Sequence, residues 1–466
     1  MPVLGTQERP LRVAIVGSGP SGFYTADAIL RQNIITKVDL FDKLPVPFGL
    51  VRHGVAPDHQ KIKNVIKIFE KIAVNPQFSY FGNVTVGKNI GVFELNKYYD
   101  AVVFAYGAET DRHLGVRGED LAGSCTATEF VGWYNGHPDF QDRHFDLSGE
   151  VAVIVGNGNV AMDVARILCK TPEELKNTDI TQNALDVLAE SKIKEVHLFG
   201  RRGPVQASFT SPELREMGEL SSCYPVVDPK DLQLNESSLK ELQDTANAWH
   251  KKNYEIMKSY LSIDPQGRKR KFVMHFFRSP VEIMGKGRVQ KARFEINALT
   301  GDPNKQKVRG TGKFEEIDCG IFFRSVGYSG TRIQGLPFST EAGIVPNQLG
   351  RVIDSEQIFT GWYVAGWIKR GAVGIIGSNK PDAEETVRSL MEDIGHLNPC
   401  EIPSSEELLK LLRSREAMVV TFDDWKKIDA AEIQRGVQLG KPREKFARIT
   451  GMLSAIFNRI HPEKKY

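Results

Sequence analysis

The chain has 466 residues, with 61 Lys and Arg against 58 Asp and Glu and a formal net charge of +3. That length allows two or three domains with large cores, and the balance excludes a chain that binds nucleic acid through bulk charge, while leaving room for a local basic face. Hydrophobic residues are 41% and charged residues 26%, as in ordinary globular proteins, and no apolar run reaches the ~18–20 residues that span a bilayer, so no membrane contact is expected.

Met1 to Pro10 carries neither the apolar run of a signal peptide nor an Arg-rich amphipathic pattern, so a cytoplasmic location is expected. The organising stretch follows. Val13-Ala14-Ile15-Val16 reads as a buried strand, Gly17-Ser18-Gly19-Pro20-Ser21-Gly22 as a tight turn, and Phe23 to Leu30 as a helix. A second strand, Val38 to Phe41, ends on Asp42, 20 residues after Gly22. Strand, GxGxxG, helix, strand and acid in this order make a dinucleotide fold. Gly17 permits the turn, Gly19 lets the backbone approach a pyrophosphate, and Gly22 lets the helix close on the strand. The helix N-terminus faces the phosphates, and Asp42 accepts from an adenosine ribose hydroxyl.

Leu44 to His59 holds too many prolines and glycines for regular structure, yet is rich in Phe, Val and Leu. It reads as a long ordered functional loop. Ile62, Val65, Ile66, Phe69 and Ile72 are spaced for one helix with Lys61, Lys63, Lys67 and Lys71 on its solvated face. Phe81 to Phe93 reads as short strands. Tyr99 to Ala108 reads as a buried strand ending in small residues at a cofactor, and Asp111 to Gly118 as a crossover.

The opening pattern then recurs. Val151 to Val155 is a strand, Gly156-Asn157-Gly158-Asn159-Val160-Ala161 is GxGxxA, and Met162 to Leu168 continues as helix. The matching strand, Glu195 to Phe199, ends not on an acid but on Gly200-Arg201-Arg202-Gly203. Two permanently charged planar guanidiniums at that place suit a 2′-phosphate, so this site fits NADP better than NAD. Ser211-Pro212 opens a helix carrying Glu213, Arg215 and Glu216. Residues 229–262 read as charged helix, Arg268 to Lys271 as a solvated turn before a strand Phe272 to Phe277, and Phe294 to Gly312 as antiparallel strands about a Gly/Pro/Asn turn. Ile317 to Tyr328 reads as the last strand of the second sheet. Trp362 to Gly377 reads as a strand running into a Gly-rich turn that closes on a flavin, followed by a helix Ala383 to Met391; residues 400–466 form a mostly helical tail.

Cys125, Cys169, Cys223, Cys319 and Cys400 are scattered with no CxxC pair. That argues against a redox disulfide and against cysteine-held zinc or iron–sulfur sites, and no metal is expected. Two dinucleotide folds, one ending in Asp42 and the other in Arg201-Arg202, fit FAD in the first and NADPH in the second, with hydride transfer from nicotinamide to flavin.

Leu44-Pro-Val-Pro-Phe-Gly-Leu-Val-Arg-His-Gly-Val-Ala-Pro-Asp-His59, Gly156-Asn-Gly-Asn-Val160, Gly200-Arg-Arg-Gly-Pro204 and Gly366-Trp-Ile-Lys-Arg-Gly371 resemble adrenodoxin reductase and the similar bacterial ferredoxin–NADP reductases over nearly the whole chain. The resemblance implies an α/β fold of two Rossmann-like domains: an FAD domain, 1–108 and 330–466, interrupted by an NADP domain, 109–329. It implies single-electron transfer from reduced flavin to an acidic iron–sulfur ferredoxin, and a monomer. Carried over, FAD contacts are Ser21, Asp42, Leu50, Val86, Trp367, Gly374, Ile375 and Ile376, which join Gly17, Gly19 and Gly22 of the glycine turn. NADP contacts are Asn157, Gly158, Asn159, Val160, Arg201, Arg202, Glu213 and Gly374. His59 and Glu216 are the implied catalytic polar groups near the flavin edge, and Arg215 a ferredoxin contact. The chain departs from the family pattern at Asp42, where Glu is usual, and at Ser21, where Ala is common; Ser378 to Asp382 resembles the bacterial members. An electron-input subunit related to the glutamate synthase small chain, or a reductase with another acceptor, is the alternative. The former carries N-terminal cysteine clusters, and this chain has no cysteine before Cys125. A binding module without turnover is a third reading, disfavoured by the intact glycine turns and arginines.

Overall fold

The computed structural model describes residues 3–457; positions 1–2 and 458–466, the ends of the expected first domain and tail, lie outside the described residues. The chain divides into two compact units, one inserted in the other. Unit 1 comprises Met1–Thr110, Asn135–Pro138 and Gly327–Tyr466, and unit 2 comprises Asp111–Tyr134 and Asp139–Val326.

Unit 1 is built on a seven-stranded sheet in the spatial order Asn347–Gln348, Arg351–Asp354, Gln357–Val364, Ala101–Phe104, Leu11–Val16, Thr36–Phe41, Phe78–Phe81. The last five strands are parallel to one another, and the first two add as antiparallel neighbours at one edge. The Leu11–Val16 strand is apolar without alternation after Arg12 because both of its faces are covered: Val13 and Ile15 join one core cluster, Ala14 and Val16 the other. Val13, Ile15 and Val16 each contribute roughly 1.5–3 kcal/mol by leaving water. Helix Pro20–Leu30 starts with proline at its first position and packs on helix Asn379–Asp393.

Unit 2 repeats the plan. Its six strands run in the order Ser124–Thr126, Ile321–Arg324, Val151–Val155, Glu195–Phe199, Arg270–His275, Cys223–Val227, all parallel. Ala152 and Ile154 face one core, Val153 and Val155 the other. A separate antiparallel sheet, Arg278–Met284, Lys291–Thr300 and Lys307–Asp318, is the hairpin region foreseen around Gly301 to Asn304.

Several elements differ from the sequence reading. The helix expected through 62–72 is two, Gln60–Lys63 and Ile66–Ala73; Ile62 of the expected apolar stripe is exposed, as is Ile68 outside it, and Lys63 is buried rather than solvated. Beyond Phe81 there is no further strand before Phe93. An isolated bridge joins Val86 to Ile90, and helix Val92–Leu95 follows, with Glu94 accepting from Gly91 N–H at 3.0 Å. Residues 229–262 hold two helices, Glu236–Gln243 and Ala248–Ser259, with short 3-10 turns about them. The single strand expected over 317–328 is three: one antiparallel strand ends at Asp318, Ile321–Arg324 enters the parallel sheet one position in from its edge, and Tyr328–Ser329 is a separate two-residue strand. Arg270, expected in a solvated turn, donates to the carbonyls of Leu168, Cys169 and Lys170 at 3.3, 3.1 and 2.6 Å. It caps the C-terminus of helix Asn159–Cys169, where a cation meets unpaired carbonyls.

Candidate nucleotide sites

In unit 1 the parallel register sets Val16 beside Phe41 and Phe104, and Phe104 beside Val364. The next residues, Gly17, Asp42, Ala105 and Ala365, therefore lie together at the carboxyl end of the sheet, where open α/β sheets bind ligands. Gly17 N–H donates to Phe41 O at 2.8 Å and Ala105 N–H to Val16 O at 2.7 Å, which extends the ladder into the turn.

The three glycines do different work. Gly17 has φ +112°, and a Cβ there would lie 2.5 Å from Ala105 O. A Cβ on Gly22 would collide with Gly17 O. At Gly19 a Cβ would meet no protein atom within 4 Å. Its bare backbone thus borders open space at the start of helix Pro20–Leu30, where unpaired N–H groups receive an anion.

Asp42 is half-buried. Its Oδ2 accepts from Ser18 N at 3.0 Å and Ser18 Oγ at 2.5 Å, and its Oδ1 from Leu44 N at 2.9 Å. Burial pushes the carboxyl pKa up, while the bonds from Ser18 and Leu44 pull it down. Ser18 was missed as a supporting residue; its only signal is a hydroxyl inside the glycine turn. The loop after Asp42 folds back over that turn. Phe48 N donates to Ser18 O at 3.0 Å, Phe48 has φ +84°, and a Cβ on Gly49 would lie 2.9 Å from Gly19 Cα. The loop contains one helical turn, Leu50–His53. Leu50 is exposed and Val86 buried. His59 is half-buried and precedes the Gln60–Lys63 turn.

The Trp362 to Gly377 segment crosses the same end of the sheet. Ser21 Oγ donates to Asn379 Oδ1 at 3.0 Å, and a Cβ on Gly366 would collide with Ser21 Oγ. Gly366 N–H donates to Asp382 at 2.5 Å, which fixes the start of the Trp367–Arg370 turn. Asn379 and Asp382 are likewise supports that motif spacing did not single out. Trp367 Nε1 is a buried donor without a hydrogen-bond partner among the described residues, while Val373 and Ile375 are exposed at 71% and 65% beside Gly374 (φ +91°). An orphaned buried donor, exposed aliphatic side chains and the vacant side of Gly19 fit a large, mostly apolar ligand with a phosphate group.

Unit 2 reproduces the turn. Gly156 N–H donates to Phe199 O at 2.9 Å and Ser325 N–H to Val155 O at 2.8 Å, the counterparts of the two bonds above. Gly156 has φ +134°, and a Cβ would collide with Ser325 O; around Gly158 the nearest atom is Ser208 Oγ at 4.0 Å. Helix Asn159–Cys169 begins there. A Cβ on Gly200 would collide with the Asn157 amide, which explains the glycine between Phe199 and the arginine pair. Asn157 O accepts from Ser208 N and Oγ, each at 2.9 Å, and Asn159 Oδ1 from Thr210 N at 2.8 Å. Val160 is half-buried.

The backbone of the arginine pair is pinned: Asn297 Nδ2 donates to Arg201 O at 2.9 Å and Phe277 N to Arg202 O at 3.0 Å. Their side chains are exposed and neither makes an ion pair among the described residues. Burial of part of the Arg202 group first, and the neighbouring Arg201 charge second, push the Arg202 pKa down, and the Glu241 charge offsets this only in part. Glu213 is buried and bound to Arg166, Glu216 half-buried, and Arg215 exposed on the same helix, Ser211–Glu219. Each unit thus assembles its own group of expected residues; His59 belongs to unit 1, Glu216 to unit 2.

Among the described residues no helix is long and apolar enough to cross a membrane. A family model for an NAD(P)-binding Rossmann-like domain matches residues 15–81. The NADPH-ferredoxin reductase FprA of Mycobacterium leprae is 43% identical over 450 residues, covering 95% of this chain and 97% of the relative. The mitochondrial NADPH:adrenodoxin oxidoreductase of Homo sapiens is 41% identical, covering 96% and 92%. The structure of Mycobacterium tuberculosis FprA in complex with NADPH superposes with a TM-score of 0.90 at 42% identity, over 96% of this chain and 99% of that one. With identity at this level along almost its entire length, and the two glycine turns in place, the chain belongs to the family of FprA-type NADPH-ferredoxin reductases and NADPH:adrenodoxin oxidoreductases.

Proposed function

We propose that this chain is an oxidoreductase that takes a hydride from NADPH onto FAD and passes the two electrons singly to an acidic iron–sulfur ferredoxin. The observation that carries the reading is that two turns of the same geometry end differently, one on the Asp42 carboxylate and the other on exposed Arg201 and Arg202, which make no ion pair among the described residues. In this reading unit 1 is the FAD domain and unit 2 the NADP domain.

The flavin supplies the change from two-electron to one-electron chemistry when bound; the protein's residues bind and orient. Gly19 and the N-terminus of helix Pro20–Leu30 receive the FAD pyrophosphate. Asp42, held by Ser18, accepts from the ribose, so Asp42's shorter reach is combined with a fixed carboxylate. Gly17, Gly22 and Ser21 shape the turn, Leu50 and Val86 border the cofactor, and Trp367 presents Nε1 to it, with Gly374, Ile375 and Ile376 alongside. In unit 2, Gly158, Asn159 and Val160 open the phosphate-facing helix, Asn157 braces it, and Arg201 and Arg202 pair with the 2′-phosphate through charge-assisted bonds. Glu213 contacts the nucleotide, Gly374 admits the nicotinamide, His59 and Glu216 tune proton movement, and Arg215 meets ferredoxin. The same reading makes the chain a cytoplasmic monomer.

Stopped-flow reduction by NADPH and NADH, followed by transfer to an acidic two-iron ferredoxin at low and high salt, tests it. The expected result is rapid flavin bleaching with NADPH and salt-sensitive ferredoxin reduction. Bleaching without ferredoxin turnover would replace the acceptor and keep the nucleotide sites. A protein that holds no flavin after reconstitution would overturn the enzyme assignment.

A further inference from the structure

Arg166 lies in helix Asn159–Cys169, fully buried, and that helix packs on helix Ser211–Glu219. Its guanidinium meets three carboxylates. Nη1 donates to Glu213 Oε2 at 2.7 Å, Nη2 donates to Asp163 Oδ1 at 2.6 Å, and Nε lies 3.6 Å from Glu216 Oε2. An arginine cannot shed its charge, and burying it is costly unless hydrogen bonds and counter-charges satisfy it. One acid would neutralise it. Three acids around one cation make an acidic cluster held in place by a single planar fork.

The cluster's position gives this a consequence. Both helices begin at the phosphate-facing side of unit 2: Gly158 precedes one, and Thr210, bonded to Asn159, precedes the other. Asp163 and Glu213 follow within about a turn of those starts. Glu213 is almost covered, whereas the Glu216 side chain is 41% exposed, so the cluster reaches the surface through Glu216. Without Arg166, each of these carboxylates would lose a cation that faces it, close to where phosphates are received.

We propose that Arg166 is a positioning residue of the NADPH site. It orients the Glu213 carboxylate toward the nucleotide and offsets the charge that Asp163, Glu213 and Glu216 would otherwise set against its phosphates. This rests on the reading of Glu213 as a nucleotide contact. Lysine carries the charge but not the fork, so it cannot hold Glu213 and Asp163 together in the same geometry.

A double-mutant cycle on the flavin-loaded protein tests this. Arg166→Met, Arg166→Lys, Glu213→Gln and the two pairwise combinations are assayed for NADPH KM and kcat with ferricyanide, with Tm measured alongside. Arg166→Met is expected to raise KM about tenfold with a smaller change in kcat, Arg166→Lys to fall between it and the wild type, and either to add less than about twofold once Glu213 is Gln. An equal KM increase in both backgrounds, or a lower Tm with unchanged KM, would make Arg166 a purely structural residue and overturn the proposal. An unchanged KM in Glu213→Gln alone would instead remove the nucleotide-contact reading beneath it. If Arg166→Met does not fold, the Arg166→Lys arm is judged by the same coupling criterion.

Discussion

Arg52 and Glu432, 380 residues apart, form a buried two-pronged ion pair, with Nη1 donating to Oε2 at 2.9 Å and Nη2 to Oε1 at 2.6 Å. Arg52 belongs to the helical turn within the glycine-covering loop, and Glu432 to the tail helix Phe422–Gln438. The Arg52 guanidinium also lies 5.1 Å from the Trp425 ring centre, and Trp425 meets Phe48 edge-on at 5.8 Å. The tail therefore holds the loop that closes over Gly19.

Glu432→Ala should strip the counter-charge from a buried arginine and cost about 3–5 kcal/mol of stability. Urea unfolding of the flavin-free protein measures it. Because Phe48 bonds to the glycine turn, the variant should also release FAD faster on dilution. A variant with normal stability and retention would mean that the tail does not secure the loop.

Gly19→Ala and Gly22→Ala should part company. The Gly22 methyl collides with Gly17 O, so Gly22→Ala should fold poorly or not at all. The Gly19 methyl meets no protein atom, so Gly19→Ala should keep its unfolding midpoint and lose FAD affinity. Circular dichroism melts with flavin titration separate the two. A loss of stability in the flavin-free Gly19→Ala protein would contradict the ligand-facing role of that position.

Replacing Arg201 and Arg202 with Ala should raise KM for NADPH far more than for NADH, since each charge-assisted bond is worth on the order of 1.5–3 kcal/mol in favourable cases. Equal weakening of both nucleotides would remove the 2′-phosphate assignment.

Burial, and then the nearby His197 and Arg278, push the His275 pKa down to about 3. The folded state keeps this imidazole neutral, bonded to His197 at 2.9 Å and stacked on Phe199 at 4.3 Å. Below about pH 6.5 the unfolded chain takes up the proton that the folded chain refuses. Its contribution to stability is thus fully present above about pH 6.5 and lost as pH falls from there toward about 3. His275→Phe should flatten that part of the stability–pH curve after its own offset at pH 8 is subtracted. Parallel curves for the two proteins would show that His275 does not titrate in this window.

Much of the architecture was legible because it is local. A β-branched run, a glycine turn and an apolar helix occupy consecutive residues at Val13 to Leu30 and again at Val151 to Leu168, and buried parallel strands need no alternation. The different endings on Asp42 and on Arg201-Arg202 were equally local. The splitting of 62–72 and 317–328 was not, because only tertiary burial decides that Ile62 and Ile68 stay exposed and that Ile321 to Arg324 pairs with Val151–Val155 rather than continuing a hairpin.

The amino-acid sequence by itself determined that there are two dinucleotide turns, which glycines they need and which charge each turn ends on. Those properties follow from backbone sterics and side-chain chemistry within one stretch of each chain half, about thirty residues for the first turn and about fifty for the second. Tertiary structure alone decided how the turns are supported. Ser18 clamps Asp42, Asn297 pins Arg201, Arg166 gathers three acids from two helices, and Glu432 reaches Arg52 across 380 residues. A buried charge must find its partner wherever the fold brings one, and spacing along the chain carries no record of that choice.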